Sequence, residues 1–261
     1  MKAWSKQVIP VLCRILKTDF FYIFDPETEN ISKMIQLPVI NEDSIIKSIG
    51  LLCDQFPGKV IFTTSFGLED QVITDLICNN HFPVKIITLD TGRLFEETYK
   101  VYSRTIEKYK INIESVHPDA AELSALLKQK GPFSFYESVD NRKECCRIRK
   151  VKPLQKALAG FEIWITGLRS EQSDSRSKIQ LIERDESYGI VKYNPLYDWT
   201  LDKTKAFIKE NNIPYNVLHD RGYPSIGCAP CTRAIKEGDD IRSGRWWWEN
   251  DSKKECGLHE K

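Results

Sequence analysis

The chain has 261 residues, 41% hydrophobic and 29% charged, enough for a sizeable core in one or two domains. Its 38 basic and 37 acidic residues leave a formal net charge of +1, which excludes a bulk field for nucleic acid or an anionic membrane. Any anion must therefore be held by a local cluster.

The N-terminal "MKAWSKQVIPVLCRILKTDF" has a short apolar run flanked by charge and makes a poor signal peptide. No stretch has the apolar length of a membrane span, so a cytoplasmic, reducing setting is expected. Within residues 1–55 only a helix around 42–55 is expected. From there the pattern sharpens. "KVIFTTS" (59–65) is a β-branched run after a Pro-Gly turn, and "EDQVITDLICNN" (69–80) follows with helical spacing. "PVKIITLD" (83–90) is a second strand and "FEETYKVYSRTIEKYK" (95–110) a second helix. "INIESVH" (111–117) is a third strand, and "PDAAELSALLKQK" (118–130) a third helix with Pro118 suited to its first turn. "CCRIRKVKPLQKALAG" (145–160) reads as a helix interrupted by Pro153, "FEIWITG" (161–167) as a fourth buried strand and "LDKTKAFIKENN" (201–212) as one more helix.

Strands alternating with helices predict a doubly wound, parallel α/β sheet whose ligands sit beyond the carboxyl ends of its strands. Three loops leave those ends: "SFGLED", "DTGRLFEE" and "GLRSEQSDSRS". With no internal repeat or linker, one structural domain is expected. Residues 1–55 have no assigned role in it, 56–240 form the α/β body and 241–261 a C-terminal tail.

Four of the eight cysteines fall in two close pairs, Cys145 with Cys146 and Cys228 with Cys231 in "CAPC". Thiols so grouped suit a tetrahedral zinc site or an iron–sulfur cluster; spacing leaves both open, although adjacent cysteines are unusual for zinc. Cys13, Cys53 and Cys78 lie in apolar segments and read as packing. The loop "TTSFGLEDQ" offers backbone N–H groups to an anion but lacks the Lys and spacing of a P-loop. Arg169 and Arg176 stand among serines, a lining suited to phosphate or sulfate. Arg242 and Arg245 lie between "CAPC" and the last thiol, with Trp246, Trp247 and Trp248 behind them as core or interface packing. That last thiol, Cys256, sits in "KKECGLHEK", where basic neighbours favour a thiolate.

As a set, "TSFGLEDQ", "LDTGRLFEETY", "CC" with "RIRKVKPL", "WITGLRSEQS", "GCAPCTR", "RSGRWWWE" and "KKECGLH" resemble the assimilatory sulfonucleotide reductases, in the same order and over roughly residues 55–261. The resemblance implies an adenine nucleotide α-hydrolase-like fold, related to the PP-loop ATP pyrophosphatases. It implies reduction of adenosine 5′-phosphosulfate (APS), or of its 3′-phosphorylated form (PAPS), to sulfite. Members with both cysteine pairs hold a 4Fe-4S cluster and tend toward APS. Cys145, Cys146, Cys228 and Cys231 are thereby the expected cluster ligands, and APS stands ahead of PAPS.

By the same resemblance Cys256 is the nucleophile, carrying an S-sulfonate that a dithiol donor, thioredoxin or glutaredoxin, releases as sulfite. Lys150, Arg242, Arg245 and His259 are expected at the sulfate, and Arg169 and Arg176 at the nucleotide's phosphate. Ser65 and Gly67 are expected to form a backbone cradle, with Leu89 and Gly167 at the adenine. A homo-oligomer is expected. Where the pyrophosphatases show S-G-G-x-D-S, this chain has Phe66 and Leu68, expected to narrow the pocket to an α-phosphate-type ligand. Two other readings stay open: a PP-loop ATP pyrophosphatase that thiolates an acceptor, and a zinc-stapled binding module that leaves Cys256 unexplained.

Overall fold

The computed structural model describes residues 20–22, 36–38, 44–173, 176–249 and 258. Strands β1 (Phe20–Tyr22) and β2 (Gln36–Pro38) form a small antiparallel pair. Helix α1 (Ile45–Gln55) is capped by Ser44, whose hydroxyl accepts the Lys47 N–H at 3.3 Å. The larger sheet contains β3 (Val60–Thr64), β4 (Lys85–Leu89), β5 (Glu114–Val116), β6 (Ile163–Ile165), β7 (Ile182–Asp185) and β8 (Ile190–Tyr193). Its spatial order is β5-β4-β3-β6-β8-β7, with every neighbouring pair parallel except β7 and β8. Helices α2 (Leu68–Asn79), α3 (Glu96–Tyr109), α4 (Ala120–Lys130), α5 (Val139–Cys146), α6 (Lys152–Leu158) and α7 (Leu201–Glu210) complete the doubly wound architecture.

The strand period of two explains the layers. Val60 and Phe62 of β3 join a core with Ile49 and Leu52 of α1 and Val72 of α2. Ile61 between them joins Leu154 and Leu158 of α6 on the opposite face. Ile163 and Ile165 follow the first pair and Trp164 the second. A sheet covered on both faces needs strands that are apolar throughout, which is why these runs stand out in the sequence. From β3 the chain steps outward to β4 and β5, then returns on the other side of β3 at β6. The carboxyl ends at that reversal bound a crevice.

Four local features differ from expectation. First, α4 begins at Ala120; its cap is Asp119, whose carboxylate accepts the Ala121 and Glu122 N–H groups at 3.1 and 3.0 Å, so Pro118 precedes the helix. Second, Pro153 does not break its helix. Lacking an N–H for the carbonyl four residues back, it is accommodated by a wide π-type turn over Arg147–Val151 that joins α5 to α6. Third, the β7–β8 hairpin adds two strands to the four expected. Its charges hid it: Lys192, 2% exposed, pairs with Asp185 and lies 4.9 Å from the Trp164 ring centroid. Fourth, the body is larger than residues 56–240, since α1 belongs to its core and residues 241–249 fold back on it. The Arg233 N–H donates to the Gly244 carbonyl at 3.0 Å and the Trp246 N–H to that of Cys231 at 3.1 Å. Among the described residues no helix is long and apolar enough to cross a membrane.

Candidate active site

A cavity of about 250 Å³ opens at the sheet's reversal point. Ser65, Gly67, Leu89, Lys150, Gly167, Arg169, Arg176, Arg242 and Arg245, nine of the residues singled out from the sequence, all line it. They arrive from five places: the β3–α2 loop, the end of β4, the π-type turn, the segment that follows β6 and the segment that follows "CAPC". Two further expected residues, Cys256 and His259, lie outside the described residues, as do Cys13 and residues 42 and 43 of the expected first helix.

The β3–α2 loop does not work as expected. Phe66 adopts the left-handed conformation (φ 60°), which turns its ring into the core to stack on Tyr102 at 4.9 Å. Leu68 is likewise buried in that core, so neither residue narrows the cavity. Carboxylates line it instead. Asp70 Oδ2 accepts both the Ser65 N–H and its hydroxyl at 2.6 Å, which takes the Ser65 donors away from any phosphate cradle. Asp70 is 9% exposed, and burial pushes its carboxyl up to about 6 against the pull of the Ser65 hydrogen bonds, with neighbouring Glu69 raising it further. A Cβ on Gly167 would overlap Asp70 Oδ1, so the glycine's place here is to let that carboxylate approach the β6 loop.

Arg169 departs from expectation in the same way. Its Nε donates to Glu69 Oε1 at 2.7 Å, and its Nη1 donates to the Trp199 carbonyl and to Glu171 Oε2 at 3.0 and 3.2 Å. At 2% exposure it braces the α2 start against the loop after β6. Arg176 Nη1 donates to Gln172 Oε1 at 2.5 Å on the same wall. His219, on a 3₁₀ turn over Val217–Arg221, also lines this wall. Burial pulls its imidazole below the ordinary range. Sequence reasoning missed Asp70 and His219. Asp70 was legible as the last residue of "SFGLED", whereas no spacing signal marked His219.

The opposite wall is cationic. Arg245, 7% exposed, stacks 4.7 Å from the centroid of Trp246 and sends Nη1 to the Ser225 hydroxyl at 3.3 Å. Its Nε is buried without a partner. A Cβ on Gly227 would overlap its guanidinium, so glycine at that position is what lets Arg245 lie against the backbone leading to Cys228. Lys150 borders this cavity and also a second, smaller one, lined by Arg93, Phe135, Arg142, Arg149 and all four paired cysteines.

Cys145, Cys146, Cys228 and Cys231 are free thiols buried in one cluster with Phe135 and Trp246. The Thr91 hydroxyl lies 3.3 Å from Cys228 Sγ, and Arg149 Nη1 donates to the Thr91 carbonyl at 2.5 Å. Burial opposes ionisation of Cys228, but Lys150, the Thr91 hydroxyl, Arg245 and Arg149 together hold its thiol below the ordinary range. Burial instead pushes Cys231 up to about 12, reinforced by Cys228. Among the described residues no group of three or more His, Cys, Asp or Glu converges on a single metal ion. Cys53 and Cys78 pack in the main core as expected. Of the tryptophans, Trp246 is 1% exposed and Trp248 packs on the cysteine cluster, but Trp247 is 42% exposed.

The sequence model described as "Phosphoadenosine phosphosulfate reductase domain" matches residues 59–234. A Rhizobium meliloti protein named adenosine 5′-phosphosulfate reductase is 52% identical over 202 residues, 77% of this chain and 76% of its own length. An Allochromatium vinosum protein of the same name is 47% identical over 220 residues, 84% of this chain and 85% of its own length. Among solved structures, phosphoadenylyl-sulfate reductase from Candida auris, in a phosphate complex, is 34% identical, superposes with a TM-score of 0.58, and covers 68% of this chain and 83% of its own. The α/β fold, the cavity at the sheet's reversal and these similarities converge: the chain belongs to the phosphoadenosine phosphosulfate reductase family.

Proposed function

We propose that this chain reduces adenosine 5′-phosphosulfate to sulfite and AMP, using electrons from a protein dithiol such as thioredoxin or glutaredoxin. The single observation that carries the reading is that Lys150 borders both the cavity at the sheet's reversal and the chamber lined by four cysteines. The names of the relatives from Rhizobium meliloti and Allochromatium vinosum support the substrate.

In the first step the Cys256 thiolate attacks the sulfate sulfur. A bond forms between the two sulfurs, the S–O bond to the phosphate breaks, and AMP leaves with that electron pair. A thiolate approaching an anionic sulfate needs fixed positive charge around it. Lys150, Arg242 and Arg245 supply that charge, with His259 as a fourth contact. In the second step one donor thiolate attacks Cys256 Sγ and sulfite departs with the S–S electron pair. The donor's second thiol then resolves the mixed disulfide and regenerates the Cys256 thiolate. The donor is oxidised by two electrons and sulfur is reduced from the sulfate to the sulfite level.

Leu89 and Gly167, at the mouths of β4 and β6, flank the adenine, while Gly67 and Arg176 serve the nucleotide's phosphate. Ser65 and Arg169 shape the pocket through Asp70 and Glu69 rather than by touching phosphate. Cys145, Cys146, Cys228 and Cys231 would hold a 4Fe-4S cluster. Their all-thiol donor set and the surrounding Arg93, Arg149 and Lys150 suit an anionic iron–sulfur group. Bound there, such a cluster would supply a fixed charge distribution, and its ligands would tie α5 to the "CAPC" turn.

PAPS is the second substrate reading, favoured by the similarity to the Candida auris enzyme. The deciding experiment measures sulfite release from APS and from PAPS with reduced thioredoxin, on anaerobically prepared protein. Release from APS at a higher kcat/KM supports the reading, and release from PAPS alone replaces it. No release from either, with zinc and no acid-labile sulfide in the protein, overturns it. A cytoplasmic homo-oligomer remains the expected state, checked by fractionation and light scattering.

A further inference from the structure

The chain joins its two chambers by a second route, separate from Lys150. Arg142 of α5, one turn before Cys145 and Cys146, makes a bidentate pair with Glu249 at 2.8 and 2.9 Å; both side chains are almost wholly buried. The same Arg142 guanidinium lies 4.7 Å from the Trp246 ring centroid, and so does that of Arg245. Both guanidinium groups thus sit within cation–π distance of the same indole. Trp246 is held there at a cost, because its φ of +41° is a conformation a bulky side chain adopts only when its surroundings impose it. Its backbone N–H is tied to the carbonyl of Cys231, the last residue of "CAPC".

We infer that Trp246 is a positioning residue for substrate binding. In contact with Arg142 of the cysteine helix and with Arg245, its ring fixes the Arg245 guanidinium on the cavity wall, and the Arg142–Glu249 pair fixes the ring. The alternative is that Trp246 only fills the space beneath the cysteines. The inference rests on the reading of Arg245 as a contact for the anionic substrate.

The test is a double-mutant cycle on the full chain with its cluster, prepared anaerobically in a Cys256→Ser background so that bound APS is not consumed. APS affinity is measured by calorimetry and iron content is recorded for each variant. Arg245→Ala should weaken binding about 100-fold and Trp246→Leu about 10-fold, while Trp246→Phe, which keeps a ring face for both guanidinium groups, should stay close to the parent. In the Arg245→Ala background Trp246→Leu should weaken binding no further, because its effect runs through the absent arginine. With Cys256 intact, the same Trp246→Leu should raise KM more than it lowers kcat.

Multiplicative losses in the double variant would overturn the inference, as would equal losses for Phe and Leu. If Trp246→Leu fails to fold, Arg142→Lys, which keeps the charge and loses the planar stack, takes its place with the same expected cycle. Unchanged APS affinity in Arg245→Ala would instead overturn the reading of Arg245 itself.

Discussion

The two walls of the cavity use charge in opposite ways. On the α2 side, Arg176 apart, charges are consumed internally: Glu69 and Glu171 hold Arg169, and Asp70 takes both donors of Ser65. On the cysteine side, Arg245 is held by a hydroxyl and an aromatic ring, neither of which neutralises it. A wall whose charges cancel sets shape, and a wall whose charge is left over sets affinity for an anion. Mutations on the two sides should therefore be read by different measurements.

The largest effect belongs to the cationic wall. Arg245→Ala should cost about 100- to 1,000-fold in kcat/KM for APS, on the order of 3–4 kcal/mol of transition-state stabilisation, with little change in melting temperature. A fall in stability without a fall in kcat/KM would erase the distinction between the walls. Next comes the neutralised side, where Glu69→Gln leaves buried Arg169 short of a charge partner. Unfolding free energy should drop by about 3 kcal/mol, read by urea denaturation. Loss of activity with unchanged stability would place Glu69 in the chemistry instead.

Gly167→Ala should displace the Asp70 carboxylate and cost about 1–3 kcal/mol, with APS affinity falling in parallel because the adenine end of the cavity moves. The smallest and most specific effect is a pH profile. Asp70 titrates near 6 in the folded chain, against about 4 when unfolded, so between those values the folded state binds more protons. Stability from this group is present below about pH 4 and is lost as pH rises through 6. Asp70→Asn should remove that slope, so its stability advantage over the parent grows from pH 4 to pH 7 by on the order of 2 kcal/mol. A constant difference across that range would show that Asp70 is not the titrating group.

Which parts were legible in the sequence follows from the same physics. Strands β3, β4 and β6 announced themselves because both faces are largely buried and their residues are mostly apolar or β-branched. The β7–β8 hairpin did not, because Lys192 and Asp185 cancel each other across strands that no local pattern links. The cavity residues were found as a set, through motifs whose order along the chain matches their meeting in space. Their individual roles were less visible. Ser65 looked like an anion cradle until Asp70, five positions on, reached back to it, and Arg169 looked available until Glu69, a hundred positions earlier, met it. Phe66 pointed into the core because of a backbone angle that residue identity does not encode. The Arg142–Glu249 pair spans 107 positions, beyond any periodic signal.

The π-type turn over Arg147–Val151 acts as a phase shifter in an otherwise continuous rod. One additional residue in a helical path rotates everything after it by about 100°. The stretch before the turn can then present Cys145 and Cys146 to one chamber, while the stretch after it presents Leu154 and Leu158 to the sheet. Deleting one residue there would keep the composition and the helix but force those two faces into a single alignment. The chain could then satisfy its core or its cysteine chamber, and Lys150 would border at most one of the two cavities it now joins.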